Sequence, residues 1–194
     1  MEFPDYLWWA DNIVHAGDEQ FRRRRFYDYY FQKYMIANLF EPLVICEIGV
    51  RWGYSAYSFL CASARADYTG YDIVNGGHGG VKTDTFAHVN LMLRQNFPGA
   101  NINLVHADTQ KLDRLAGPYD FVHVDGDHTE AGCLHDINLA FEACVSGGII
   151  LVDDYTYIAG VKRAVDGFVK TNEKDIRNYH SIASLRGEFL IIKK

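Results

Sequence analysis

The sequence predicts an α/β fold, a parallel sheet with helices on both faces, and three observations carry that prediction. Short apolar runs alternate with segments of helical periodicity from residue 43 onward, the pattern of a sheet wound with crossover helices. The first run closes on a glycine turn, Glu47-Ile48-Gly49-Val50-Arg51-Trp52-Gly53. Acidic residues then recur where later runs end, at Asp72, Asp108, Asp125 and Asp153-Asp154. Ligands of an open parallel sheet bind in the crevice beyond the carboxyl ends of its strands, so these residues fall where binding and chemistry take place.

The elements follow in order. Phe21–Phe40 is helical in character and rich in tyrosine and phenylalanine, with Arg22 to Arg25 at its start. Four consecutive arginines cover every side of a helix, so they read as a solvated helix start rather than a basic stripe. Leu43–Ile48 is a buried strand, and Tyr54–Arg65 a helix with apolar residues recurring at three and four. Tyr68–Asp72 is the second strand, followed by the loop 75–80 with four glycines. A helix over Thr83–Phe97 precedes strands at Ile102–His106 and Tyr119–Val124. A helix over Glu130–Val145 stops at Ser146-Gly147-Gly148. Ile149–Val152 is the fifth strand, Ile158–Lys170 a helix, and Tyr179–Ser184 with Glu188–Ile192 a hairpin joined by Leu185-Arg186-Gly187.

At 194 residues with 48% hydrophobic content, the chain fits one domain, residues 1–194, with a helical, aromatic extension over 1–40 and a core over 41–194. The net charge of −6 disfavours nucleic acid as a partner. No apolar run is long enough to span a membrane, and the first residues do not form a secretory signal. Cys46, Cys61, Cys133 and Cys144 sit in apolar segments without zinc-ligand spacing, as expected of reduced thiols in a cytoplasmic protein. A small molecule is the expected partner; a homo-oligomer is left open.

The glycine turn invites comparison with the dinucleotide fingerprint GxGxxG, but Arg51 and Trp52 fill part of it. Their bulk disfavours a pyrophosphate lying on the backbone, and with it a nicotinamide-dependent oxidoreductase. Asp72, about twenty residues on, is placed to take a ribose diol, and Asp108 to meet an adenine ring. Either aspartate alone is more often a turn former; the three features on successive strand ends form a set.

The segment Val124-Asp125-Gly126-Asp127-His128 ends one strand, and Asp153-Asp154 ends the next. Adjacent strands would bring Asp125, Asp153 and Asp154 into one crevice, where unpaired carboxylates repel and a hard divalent cation relieves them. Oxygen ligands suit Mg²⁺, and no His/Cys set is arranged for zinc. His128 is the candidate general base beside that cation. His78 is its rival, His123 reads as core, and Asp127 as a turn former.

Glu47-Ile48-Gly49-Val50-Arg51-Trp52-Gly53-Tyr54-Ser55 resembles the first motif of class I S-adenosylmethionine-dependent methyltransferases, in an E-x-G-x-x-x-G-x-S form. The resemblance spans Leu43 to Tyr155. It implies a Rossmann-like doubly wound sheet of seven strands, order 3-2-1-4-5-7-6, with strand 7 antiparallel. It implies that Gly49 and Gly53, with Glu47, Arg51 and Ser55 of the same motif and Asp125 beyond it, face the methionine part of S-adenosylmethionine. Asp72 then binds the ribose and Asp108 the adenine. The segments around Asp125 and Asp153 are similar to the metal-dependent small-molecule O-methyltransferases of that superfamily. By that similarity Asp125, Asp153 and Asp154 hold a divalent cation, His128 is the base, and the acceptor is a natural-product, sugar or phenol hydroxyl. A catechol-type enzyme has a lysine close behind the first aspartate, and none follows Asp125 here. A non-catalytic cofactor-binding protein on the same fold is the remaining alternative.

Overall fold

A computed structural model of the protein describes residues 6–13, 24–74 and 81–194. Strands β1 (Val44–Ile48), β2 (Asp67–Asp72), β3 (Asn101–His106), β4 (Tyr119–Val124) and β5 (Cys144–Val152) are parallel to one another. A hairpin of β6 (Ile176–Ile182) and β7 (Glu188–Lys193) completes the sheet, with β7 antiparallel to both β5 and β6. The spatial order is β3-β2-β1-β4-β5-β7-β6, the order expected. The chain reverses its direction of travel across the sheet between β1 and β4, which opens a crevice at their carboxyl ends.

Alternation along the strands sorts their side chains to two faces. Ile45, Phe121, Leu151 and Leu190 join the core under α1 (Tyr6–Ile13), α2 (Arg24–Phe40), α3 (Tyr54–Ala62) and α4 (Thr83–Asn96). Cys46, Val122, Ile150 and Ile191 join a second core under α5 (Glu130–Ala143) and α6 (Ala159–Asn172). Fully buried Phe59 and Leu60 each contribute about 1.5–3 kcal/mol to holding α3 in place. The four cysteines are free and buried, and among the described residues no helix is long and apolar enough to cross a membrane.

Two elements depart from expectation. The helix expected to reach Val145 ends at Ala143, and β5 starts at once at Cys144. Cys144 pairs with Tyr119 and Ile149 with Phe121, so residues 145–148 bulge out of register. Ser146-Gly147-Gly148 therefore form a bulge within the strand, with Gly147 at φ 79, instead of a helix stop. The helix α1 lies in the extension over 1–40 expected to be helical, as a separate short element ahead of the helix drawn there. The loop 75–80 with His78, and Arg22 and Arg23, lie outside the described residues.

Candidate active site

The glycine turn is built by sterics. Gly49, Arg51 and Gly53 have φ of 92, 49 and 73, a left-handed region in which only glycine is unstrained. A Cβ on Gly49 would lie 2.0 Å from the backbone oxygen of Asp125, so β1 and β4 meet there by backbone contact alone. Asp72 braces the turn: its carboxylate accepts from the backbone N–H of Arg51 at 2.7 Å and of Val74 at 2.9 Å. Glu47 is fully buried and accepts from the hydroxyls of Ser55 and Tyr68, while its Oε1 lies 3.0 Å from His123 Nδ1. Asp108 caps a short 3-10 turn through the Gln110 N–H and pairs with Lys111 at 3.0 Å. The hydrogen bond from Lys111 holds its carboxyl below the usual range.

The acidic half is assembled differently. Glu47 in β1, His123 in β4, Asp153 just past β5 and Glu188 in β7 form a stepped row on the face under α2 and α3. Glu47 stands level with His123, while Asp153 lies two residues after Leu151 and Glu188 two before Leu190, both of which are level with His123. Lys33 of α2 reaches down to this row with 1% of its side chain exposed. Its Nζ is 2.7 Å from Glu188 Oε1, 3.1 Å from Asp153 Oδ2 and 3.1 Å from His123 Nε2. The Tyr29 hydroxyl donates to Asp153 Oδ2 as well. Desolvation works against the Lys33 charge, but Asp153 and Glu188 outweigh it and raise its pKa. Burial likewise pushes Asp153 up, and Lys33, His123 and Tyr29 overcome it to hold the carboxyl at about 2.

Asp125 and Asp154 flank His128, whose Nε2 is 3.4 Å from Asp125 Oδ1 and 3.4 Å from Asp154 Oδ2. The hydrogen bond to Asp125 raises the imidazole pKa against the effect of burial. Burial, then the neighbouring carboxylates Asp125 and Asp153, lift Asp154 to about 7; Asp125 is raised by burial and by Asp153. Arg186, in the turn between β6 and β7, places its Nη1 3.3 Å from Asp154 Oδ1. Ligand atoms of His123, Asp125 and Asp153 lie within 4.8 Å of one another, as do those of Asp125, His128 and Asp154. Asp125 is common to both groups, while Asp153 and Asp154 fall one in each.

One cavity joins the two halves. Tyr29, Tyr30, Arg51, Ser55, Asp125 and Arg186 line it, with the backbone from Gly49 to Trp52. Of the residues singled out in the sequence it gathers Gly49, Arg51, Ser55 and Asp125; Glu47, Gly53, Asp72, Asp108, His128, Asp153 and Asp154 are not part of its lining. Asp127 accepts from the Thr129 N–H at 2.7 Å, the turn former anticipated. His123 is packed against Phe59 as expected, but in a charged row, not an apolar one. The sequence reading took the carboxylates as unpaired; Lys33 and Arg186 supply two resident cations. Tyr29 and Tyr30 were anticipated only as part of the tyrosine- and phenylalanine-rich helix over Phe21–Phe40. Lys33 and Arg186 were missed. Lys33 does carry a signal, as the one charge in the inward stripe Phe26, Tyr29, Tyr30, Lys33, Ile36, Ala37.

A methyltransferase-domain family profile matches residues 46–155, more than half of the chain and the whole stretch from the glycine turn to the loop beyond β5. The chain belongs to this methyltransferase family. Its fold is that of the class I S-adenosylmethionine-dependent enzymes. Among solved structures it is similar to the Podospora anserina methyltransferase PaMTH1 bound to S-adenosylhomocysteine, with TM-score 0.69, 18% identity, and coverage of 98% of this chain and 88% of that one. It is similar to a putative caffeoyl-CoA O-methyltransferase from Staphylococcus aureus, with TM-score 0.63, 14% identity and 98% of each chain covered. It also resembles TomG from Streptomyces achromogenes, an O-methyltransferase of tomaymycin synthesis solved with S-adenosylmethionine, with TM-score 0.60, 14% identity, and 99% and 87% covered. No curated protein matches the chain. Membership of the family sets aside the oxidoreductase alternative, as the interrupted GxGxxG already argued.

Proposed function

We propose that this methyltransferase transfers a methyl group from S-adenosylmethionine to a hydroxyl oxygen of a small molecule, assisted by a divalent cation such as Mg²⁺. One observation carries the reading: Asp125, the residue shared by both ligand groups, lines the same cavity as Gly49 and Ser55 of the glycine turn. A carboxylate that faces both a cofactor and an acceptor belongs where the transfer takes place.

The residues fit a cation. Asp125, Asp153, Asp154 and Glu188 bring four carboxylates against the two cations Lys33 and Arg186, an excess of negative charge that a divalent ion would relieve. Asp125, Asp153 and Asp154 would hold it, with oxygen ligands of the kind Mg²⁺ takes. Bound there, such an ion would lower the pKa of an acceptor hydroxyl and orient it. The cofactor supplies the electrophile, since a sulfonium methyl needs positioning more than activation. Gly49, Arg51, Gly53 and Ser55 would take its methionine part, Asp72 the ribose and Asp108 the adenine, with Glu47 fixing Ser55 from behind. The cavity measures about 40 Å³, room for a few waters rather than for a whole cofactor. In its neutral form His128 would take the acceptor proton at Nε2, the atom that faces Asp125 and Asp154.

Asp125→Ala or exhaustive chelation should abolish S-adenosylhomocysteine release from a panel of hydroxyl acceptors. S-adenosylhomocysteine affinity should stay within a few-fold, and Mn²⁺ binding, read by calorimetry, should be lost in Asp125→Ala. Full turnover after chelation removes the cation from the reading and leaves His128 to act alone.

A further inference from the structure

We infer that the acceptor carries a carboxylate beside its hydroxyl, and that Arg186 reads it. The inference rests on the proposed function, because a bare Asp125–Asp154 pair would repel an incoming anion. Three features of Arg186 carry it.

The first is its setting. The side chain projects into the same cavity as Asp125 and Tyr30, at the end of the site away from Asp72 and Asp108. Tyr29, Tyr30 and Tyr54 line that cavity with it.

The second is how loosely its charge is held. Its only polar side-chain partner among the described residues is Asp154, reached through Nη1 alone at 3.3 and 3.4 Å. A guanidinium committed to a structural carboxylate docks two-pronged and closer, near 2.7–2.9 Å. Here Nε and Nη2 are left for another partner, the side chain is 31% exposed, and the guanidinium sits 5.3 Å over the Tyr157 ring. Asp154 is meanwhile shared with His128 at 3.4 Å. The fork that recognises a planar carboxylate is therefore mostly free.

The third is the rigidity of its base. The Arg186 carbonyl accepts from the Thr156 N–H at 3.2 Å and the Thr156 hydroxyl at 2.9 Å, and the Gly187 carbonyl accepts from the Tyr155 N–H at 2.8 Å. These bonds tie the hairpin turn to the segment that follows Asp153 and Asp154. A long side chain with free donors on an anchored backbone is a reading device. The groups that act on its charge are Asp154, the Tyr29 hydroxyl, Asp125 and Asp153; Lys33 already compensates Asp153.

The test uses binding to the full chain loaded with S-adenosylhomocysteine and Mg²⁺, in two matched pairs: catechol against 3,4-dihydroxybenzoate, and propane-1,2-diol against lactate. In at least one pair the acid should bind about tenfold or more tightly than its neutral partner, the worth of one charge-assisted contact. Arg186→Met should erase that preference while S-adenosylhomocysteine and Mg²⁺ still bind, and Arg186→Lys should restore part of it. Neutral members binding as well as acids, or a preference that survives Arg186→Met, overturns the inference; survival would place the preference on the cation. Failure of the wild-type chain to bind S-adenosylhomocysteine or Mg²⁺ strikes the proposed function instead, and is read before any acid is added.

Discussion

The glycine-turn half of the site and the acidic half do their work by opposite means. Around β1 and β2 the structure is held by backbone: Gly49 lies against the Asp125 carbonyl, and Asp72 accepts from two main-chain N–H groups no more than 21 residues away. Around β4 and β5 it is held by side chains from distant parts of the chain. Tyr29 reaches Asp153 across 124 positions and Lys33 reaches Glu188 across 155. The first half, where the cofactor is proposed to sit, relies mainly on a shaped backbone. The second gathers like charges, which no local structure can hold together without counter-charges imported from elsewhere.

Lys33→Met is the severest way to break the second half. It leaves buried Asp153 and Glu188 without their cation, and the loss of stability in urea unfolding should be about 3–5 kcal/mol. Adding Glu188→Gln should recover part of that, since one of the two stranded carboxylates is then neutral. A single variant that unfolds like the wild type would mean that the row is held by Tyr29 and His123 alone. Gly49→Ala is the matching blow to the first half. A methyl placed 2.0 Å from the Asp125 carbonyl, on a residue at φ 92, costs roughly 2–4 kcal/mol in strain and overpacking. It should also weaken S-adenosylhomocysteine binding. If Gly49→Ala unfolds normally and binds normally, the backbone account of the turn is wrong.

The same contrast explains what the sequence disclosed. Strand ends, the glycine turn and the carboxylates at strand ends are local patterns, and the sheet order and the placing of Asp125, Asp153 and Asp154 at neighbouring strand ends agree with them. The row of Glu47, His123, Asp153 and Glu188 was within reach too: each lies two residues from an inward apolar residue of its own strand, Ile45, Phe121, Leu151 and Leu190. What no local pattern shows is that a helix 90 residues before His123 would lower a lysine onto that row. Nor could Arg186 be told from an ordinary hairpin arginine, because its meaning depends on β7 lying beside β5. The misplaced end of α5 has a simpler cause: Gly147-Gly148 serve a bulge as readily as a helix stop.

Asp72→Asn is the gentlest probe and separates two duties of one residue. Its oxygens already serve the Arg51 and Val74 N–H groups, and asparagine keeps one good acceptor while turning an amide toward the other donor. Turn stability should fall by about 1 kcal/mol. If the carboxylate also takes the ribose hydroxyls, the loss of charge should weaken S-adenosylhomocysteine binding a further tenfold or so, with Mn²⁺ affinity at the acidic half unchanged. Equal cofactor affinity in the variant would confine Asp72 to bracing the turn. The ribose would then have to be met by another group of the first half, with Asp72 acting on the cofactor only through the turn it braces.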